Sequence, residues 1–182
     1  MAMQPMAAQS DDPWPPVQVL GRNPEYAEMM LSNVGGRNSE MSAVAHYRYN
    51  RLLSMELGSS IEQGSPAEDC PALSELFHKI SMVEMRHMDT FAQLAMRLGA
   101  DPRLWQCCNC RMQYWSPGYV DYCFCSLGEM VQKALKEELA AIEKYNAQAA
   151  CIGDPNVAAI LRRVVKDEEV HVETWRAVLA GL

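Results

Sequence analysis

A glutamate and a histidine stand three residues apart in the middle of an apolar stripe, and the chain does this twice. On a helix, positions i and i+3 share a face. Glu168 and His171 share theirs with Val157, Leu161, Val164, Trp175 and Val178. Glu84 and His87 stand on the stripe Leu73, Leu76, Ile80, Val83, Phe91, Leu94 and Leu98, which keeps a clear helical period. Burying an unpartnered polar group costs roughly 2–7 kcal/mol, and a charge costs more. Both pairs therefore need a partner, and a metal ion is one. Two Glu-x-x-His pairs on separate helices are half of an inward-facing ligand set for two metals. The other half is one Glu from each of two further helices.

That other half can be read from an internal repeat. Glu40 is followed seven residues later by Tyr47, and Glu138 seven later by Tyr145. Each Glu has an alanine three positions on, Ala43 and Ala141. Each histidine has an aromatic four positions on, Phe91 and Trp175. Each half of the chain is thus a helix pair carrying Glu…Tyr and then Glu-x-x-His…aromatic. Two such halves joined by a long crossover build a pseudo-two-fold, all-α four-helix bundle. Its ligands would be Glu40, Glu84, His87, Glu138, Glu168 and His171. Glu84 and Glu168 are the bridging candidates, and Glu40 and Glu138 the terminal ones. Four carboxylates nearly neutralise two divalent ions. Oxygen and imidazole donors together suit Fe or Mn better than thiolate-rich zinc chemistry, without choosing between the two.

Neighbouring groups are read against that face. Tyr47 and Tyr145 are candidate hydrogen-bond donors to the carboxylates, with packing as the alternative. Asp167 is a candidate partner for a ligating histidine. Glu40 has a rival reading as a first-turn acid favoured by the helix dipole, but its match with Glu138 favours the ligand. Glu75 and His78 repeat the Glu-x-x-His spacing. Yet His78 lies nine residues before His87, about 900° at roughly 100° per residue, half a turn off the apolar face. That pair is expected on the surface. His46 lies off the Glu40/Tyr47 face and is not read as a ligand. Glu137, Glu143 and Glu169 flank the stripes and are expected in solvent.

Taken in order, residues 1–22 carry Pro5, Pro13, Pro15 and Pro16 and read as a flexible or extended arm. Trp14 is its candidate anchor. The bundle domain is expected over 23–182. Asn23-Pro24 opens a short helix to about Asn33. The first long helix is expected from about Gly36 to Leu57. The second starts between Pro66 and Pro71, near the capping box Ser65-Pro66-Ala67-Glu68, and ends near Leu98-Gly99. Residues 99–125 form a connection in which Tyr114, Trp115, Tyr119 and Tyr122 pin the chain to the bundle. Some 25 residues can span roughly 80 Å, so the next helix need not run antiparallel to the last. Ser126-Leu127-Gly128-Glu129 caps the third long helix, and Asp154-Pro155 starts the fourth after a turn short enough to make the two antiparallel neighbours.

Length and composition set outer limits. At 182 residues the chain suits one domain with a proper core. A net charge of −7 argues against nucleic acid as a partner. No apolar run reaches the length of a membrane span, and the N-terminus lacks the pattern of a secretory signal. Of the 7 cysteines, most are bunched between Cys107 and Cys125. That fits reduced thiols in a cytoplasmic protein better than a disulfide framework. Cys107, Cys110, Cys123 and Cys125 are candidates for a further thiolate-bound metal or a redox dithiol, beside the plainer reading of inert thiols.

The six-residue set on four helices resembles the ferritin-like dimetal carboxylate superfamily over about residues 23–182. Gly35-Gly36-Arg37-x-x-Glu40, with Ser42-Ala43 and Tyr47, resembles the first helix of manganese catalases and their spore-coat relatives. The paired Glu…Tyr motifs and the overall size look more like rubrerythrin-type domains, although no rubredoxin-like pair of Cys-x-x-Cys knuckles follows. The resemblance implies an oxidoreductase acting on hydrogen peroxide or dioxygen, of catalase or peroxidase type. It also implies a homodimer, an electron-donor protein where iron is used, and a cytoplasmic or spore-associated setting. The alternative it leaves is a non-catalytic metal-binding or structural coat protein on the same bundle.

Overall fold

The computed structural model describes residues 6–60, 70–108, 111–122 and 126–182. Within them lie α1 (Pro24–Gly35), α2 (Glu40–Ser60), α3 (Cys70–Leu98), α4 (Leu127–Cys151) and α5 (Pro155–Gly181). Between α3 and α4 come a two-stranded antiparallel hairpin, β1 (Trp105–Cys108) and β2 (Arg111–Tyr114), and a 3-10 turn at Pro117–Tyr119. No helix among the described residues is long and apolar enough to cross a membrane.

Helix starts follow local chemistry. The Asn23 side chain accepts from the Tyr26 amide with Pro24 behind it. Ser126 accepts from the Glu129 amide, and Asp154 from the Asn156 amide with Pro155 in the first turn. Each cap satisfies an amide the helix leaves open. Gly99 ends α3 at φ +106, a conformation few other residues adopt. The first long helix begins at Glu40 rather than Gly36. Residues 36–39 turn instead, and the Ser39 hydroxyl accepts from the Ser42 amide at 3.4 Å. The Ser65–Glu68 capping box lies outside the described residues.

α2 packs on α3 and α4 on α5. Their apolar side chains form two clusters. One joins α1 to the C-terminal halves of α3 and α4 and the N-terminal half of α5, with Leu94, Tyr145 and Ile160 among its members. The other joins α2 to the N-terminal halves of α3 and α4 and the C-terminal half of α5, with Tyr47, Ile80, Met130 and Trp175. α3 and α4 therefore run the same way, which is what the long connection is for. All of the apolar stripe expected on α3 and on α5 is buried.

The connection is more ordered than its sequence suggests. Its hairpin lies against the end of α1, where a Cβ on Gly35 would stand 2.6 Å from the Leu104 and Trp105 backbone. The Gly35-Gly36 pair thus marks a close approach of two backbones as well as a helix end. Trp115 Nε1 donates to Ser42 Oγ at 3.0 Å, and Tyr49 donates to the Tyr122 carbonyl at 3.2 Å. Arg37 lies over the Tyr119 ring. Tyr114, expected among the pins, is 58% exposed and packs on Trp105 within the hairpin.

Residues 6–22 have no helix or strand and run along the bundle. Met6 and Ala8 pack on one apolar cluster, and Trp14, Val17 and Val19 on the other.

Candidate metal centre

The repeat noted in the sequence places its polar residues between the two apolar clusters. Glu40, Glu84, His87, Glu138, Glu168 and His171 are all buried. Their ligand atoms form two groups, each within 4.8 Å: Glu40, Glu84, His87 and Glu168, and Glu84, Glu138, Glu168 and His171. Glu84 and Glu168 belong to both groups. The detailed contacts explain why. Glu84 turns Oε2 to His87 Nδ1 at 3.0 Å and Oε1 to His171 Nδ1 at 3.2 Å. Glu168 turns Oε1 to His87 Nδ1 at 3.3 Å and Oε2 to His171 Nδ1 at 2.9 Å. Each of these carboxylates thus offers one oxygen to each imidazole.

The terminal acids are held crosswise. Tyr47 of α2 donates to Glu138 of α4, and Tyr145 of α4 donates to Glu40 of α2. Phe91 packs on Tyr145 at 5.2 Å between ring centroids, and Trp175 on Tyr47 at 5.8 Å. The aromatic after each histidine therefore seats the tyrosine that holds a glutamate of the set. Trp175 Nε1 also donates to Glu138, at 3.4 Å.

Electrostatics at the site are strained by burial. Burial pushes the Glu40 carboxyl well up, helped by the charges of Glu84 and Glu168. Burial and Glu168 push Glu84 up too, but His171 and His87 outweigh them and hold it below the usual carboxylate value. Burial opposes charge on His87, yet Glu168, Asp167 and Glu84 hold its pKa well above the ordinary histidine value. His171 is held up likewise, against burial, by Glu138 and Glu84. Burial and the neighbouring carboxylates push the Tyr47 and Tyr145 phenols well up, so both stay donors. Lys144 donates to the Ser32 and Asn38 carbonyls, and desolvation lowers its ammonium to about 8 against the pull of Glu40.

The donor set fits two hard-to-intermediate cations. Glu84 Oε1, Glu168 Oε2 and His171 Nδ1 are buried without a hydrogen-bond partner among the described residues, although they lie close together. Carboxylate oxygens and an imidazole nitrogen that converge this closely give a cation its donors once the proton on the imidazole leaves. A cavity of about 520 Å³ between α2 and α4 is lined by Glu40, Glu84, Glu138 and Glu168, so small molecules have room beside the set.

Other expected residues fall as follows. Asp167 Oδ2 meets His87 Nε2 at 3.0 Å. Glu75 is exposed and His78 half-buried against Arg51, away from the site. Glu143 and Glu169 are exposed. His46 belongs to neither group, but it is buried and pairs with half-exposed Glu137 at 2.6 Å on the cavity wall. That pair was not visible in the sequence, because His46 and Glu137 lie 91 residues apart with no motif between them. Cys110, Cys123 and Cys125 lie outside the described residues, and Cys107 sits half-buried on β1.

Known proteins share this fold. Two solved structures of KatB, a manganese catalase from Anabaena, superpose with a TM-score of 0.73 at 15% identity, one covering 95% of this chain and 79% of the catalase. Rhodobacter capsulatus bacterioferritin superposes with a TM-score of 0.68 at 19% identity, covering 88% of this chain and 87% of that one. Mycobacterium tuberculosis bacterioferritin BfrA gives 0.63 at 18%, with the same coverage. No curated protein matches by sequence. At these identities the likeness is one of fold. The sequence pattern of the ferritin-like domain matches residues 66–182, well over half of the chain, so the protein belongs to the ferritin-like domain family.

Proposed function

We propose that this chain is a dimetal carboxylate oxidoreductase acting on hydrogen peroxide or dioxygen. Two ions of Fe or Mn would be held by Glu40, Glu84, His87, Glu138, Glu168 and His171. The observation that carries this reading is the sharing of Glu84 and Glu168 between the two ligand groups, one oxygen toward each imidazole. Two isolated buried ion pairs would not need that arrangement. Bound there, such ions would supply one electron each, the two electrons that cleaving an O–O bond requires. The chain's own residues do the rest. Tyr47 and Tyr145 keep Glu138 and Glu40 oriented and remain protonated. The apolar clusters above and below keep bulk water away, and the cavity between α2 and α4 admits a small oxidant.

Catalase chemistry with manganese is one form of this reading, in line with the fold neighbour KatB being a manganese catalase, and iron with a donor protein is the other. The working unit is the bundle 23–182 with residues 1–22 as its arm, and a cytoplasmic homodimer belongs to the same proposal. The test is peroxide consumption by metal-loaded protein, with and without a reductant. Oxygen release without reductant means a catalase. Consumption only with reductant means a peroxidase. Metal-loaded protein that turns over neither peroxide nor dioxygen would overturn the enzymatic reading and leave a metal-binding or structural bundle.

A further inference from the structure

The two histidines of the set are steadied from behind by different means. His87 Nε2 meets Asp167, a side chain of α5. His171 Nε2 donates instead to the Ala8 carbonyl at 2.7 Å, in the N-terminal arm. That contact is one of a series. The arm runs antiparallel to α5 and meets it about one turn at a time. Thr174 donates to the Ala7 carbonyl at 3.1 Å, and the Ser10 amide donates to Asp167 Oδ1 at 2.7 Å. Arg163 donates to the Ser10 and Asp12 carbonyls at 3.0 and 2.8 Å. The guanidinium groups of Arg86 and Arg163 both lie over the Trp14 ring, which stands 6.0 Å from that of His87. The cavity opens between α2 and α4, whereas the arm covers α5 and the back of both imidazoles.

We propose that residues 7–14 are part of the metal centre, with the Ala8 carbonyl positioning His171 and the Ser10 amide steadying Asp167 behind His87. A carbonyl can only accept, so Nε2 of His171 must carry the proton, and Nδ1 is left to face Glu84 and Glu168. Ligating histidines are held by such outer partners, and losing one typically weakens metal binding by about 10–100-fold. The inference rests on the dimetal reading above. It adds an asymmetry: the ion next to His171 depends directly on the arm, while the ion next to His87 keeps Asp167 when Ala8 is gone. Because coupling between two events is reciprocal, metal must also tighten the arm.

The test uses Mn²⁺ as the probe. In full-length protein, hydrogen exchange of the peptide containing Ser10 should slow when Mn²⁺ is added. A chain beginning at Gln9, which keeps Ser10, Trp14 and every helix, should bind one Mn²⁺ as the full-length chain does and the second about 10–100-fold more weakly. The electron paramagnetic resonance spectrum should then change from a coupled pair to a single isolated ion. A general loss of stability would weaken both ions alike. If the shortened chain fails to fold, the exchange measurement decides alone. Full-length protein that binds two Mn²⁺ with no change in arm exchange overturns the role of the arm and spares the dimetal reading. Full-length protein that binds no Mn²⁺, Fe²⁺ included as a control, overturns both.

Discussion

Glu84 and Glu168 each face both imidazoles, whereas Glu40 and Glu138 each face one group. Substitution should sort the residues accordingly. Glu84→Ala or Glu168→Ala should abolish binding of both ions, while Glu40→Ala or Glu138→Ala should leave about one tightly held ion, with metal per chain as the readout. The pKa shifts give a second expectation. His87 and His171 are held well above their ordinary values, so in metal-free protein the imidazoles favour a proton that a cation must displace. Metal binding should therefore release protons, and affinity should fall as pH is lowered. Calorimetric Mn²⁺ titrations in two buffers of different ionisation enthalpy read the release; identical heats in both would contradict it. In chelated protein the same histidines contribute stability below their unfolded value near 6.5, lost as pH rises through the raised folded values. Glu84 and Asp167 act in the opposite sense, their stabilisation present above the ordinary carboxylate range and lost in acid. That Glu40, Glu84, His87, Glu138, Glu168 and His171 would meet was legible in the sequence because each stood on an apolar stripe with a matching partner in the other half. His46, Glu137 and the Ala8 carbonyl were not, since pairing across tertiary space and backbone acceptors leave no mark on residue type.

At the level of elements, the helices and the long connection were legible, and the hairpin within the connection was not. α3 and α5 follow their apolar period closely, and caps at Asn23, Ser126 and Asp154 mark the starts of α1, α4 and α5. The hairpin escaped because β2 is exposed along its whole length, so no alternation of burial reaches the sequence. Its position depends on Gly35, and Gly35→Val should push the hairpin off α1 and expose Trp105, seen as a red shift and quenching of tryptophan fluorescence. The α2 register also differs from a plain stripe, since Asn50 and Ser54 are buried where apolar residues would be expected. In the core, Leu94→Ala should cost about 2–5 kcal/mol by removing a fully buried side chain. Ser126→Ala should cost about 1 kcal/mol by uncapping α4. Urea unfolding of metal-free protein measures both without interference from the ions.

For the whole molecule, the proposed dimetal centre would make metal and fold one system, because its residues form the polar layer between two apolar clusters. Four buried acids and two imidazoles are costly without a cation among them. Each ion that binds the folded chain alone adds stability by mass action, about 2.7 kcal/mol at a free concentration of 100 times its Kd. Chelation should therefore lower the melting temperature, and re-addition of metal should restore it. The parallel course of α3 and α4, the long connection that permits it and the arm laid along α5 all converge on this layer. The most direct measurement is elemental analysis of full-length protein purified from medium supplemented with Mn and Fe. About two ions per chain, falling to none in Glu84→Ala, is the result expected from the shared carboxylates. A folded, full-length chain with no bound Mn or Fe after supplementation would contradict the dimetal centre.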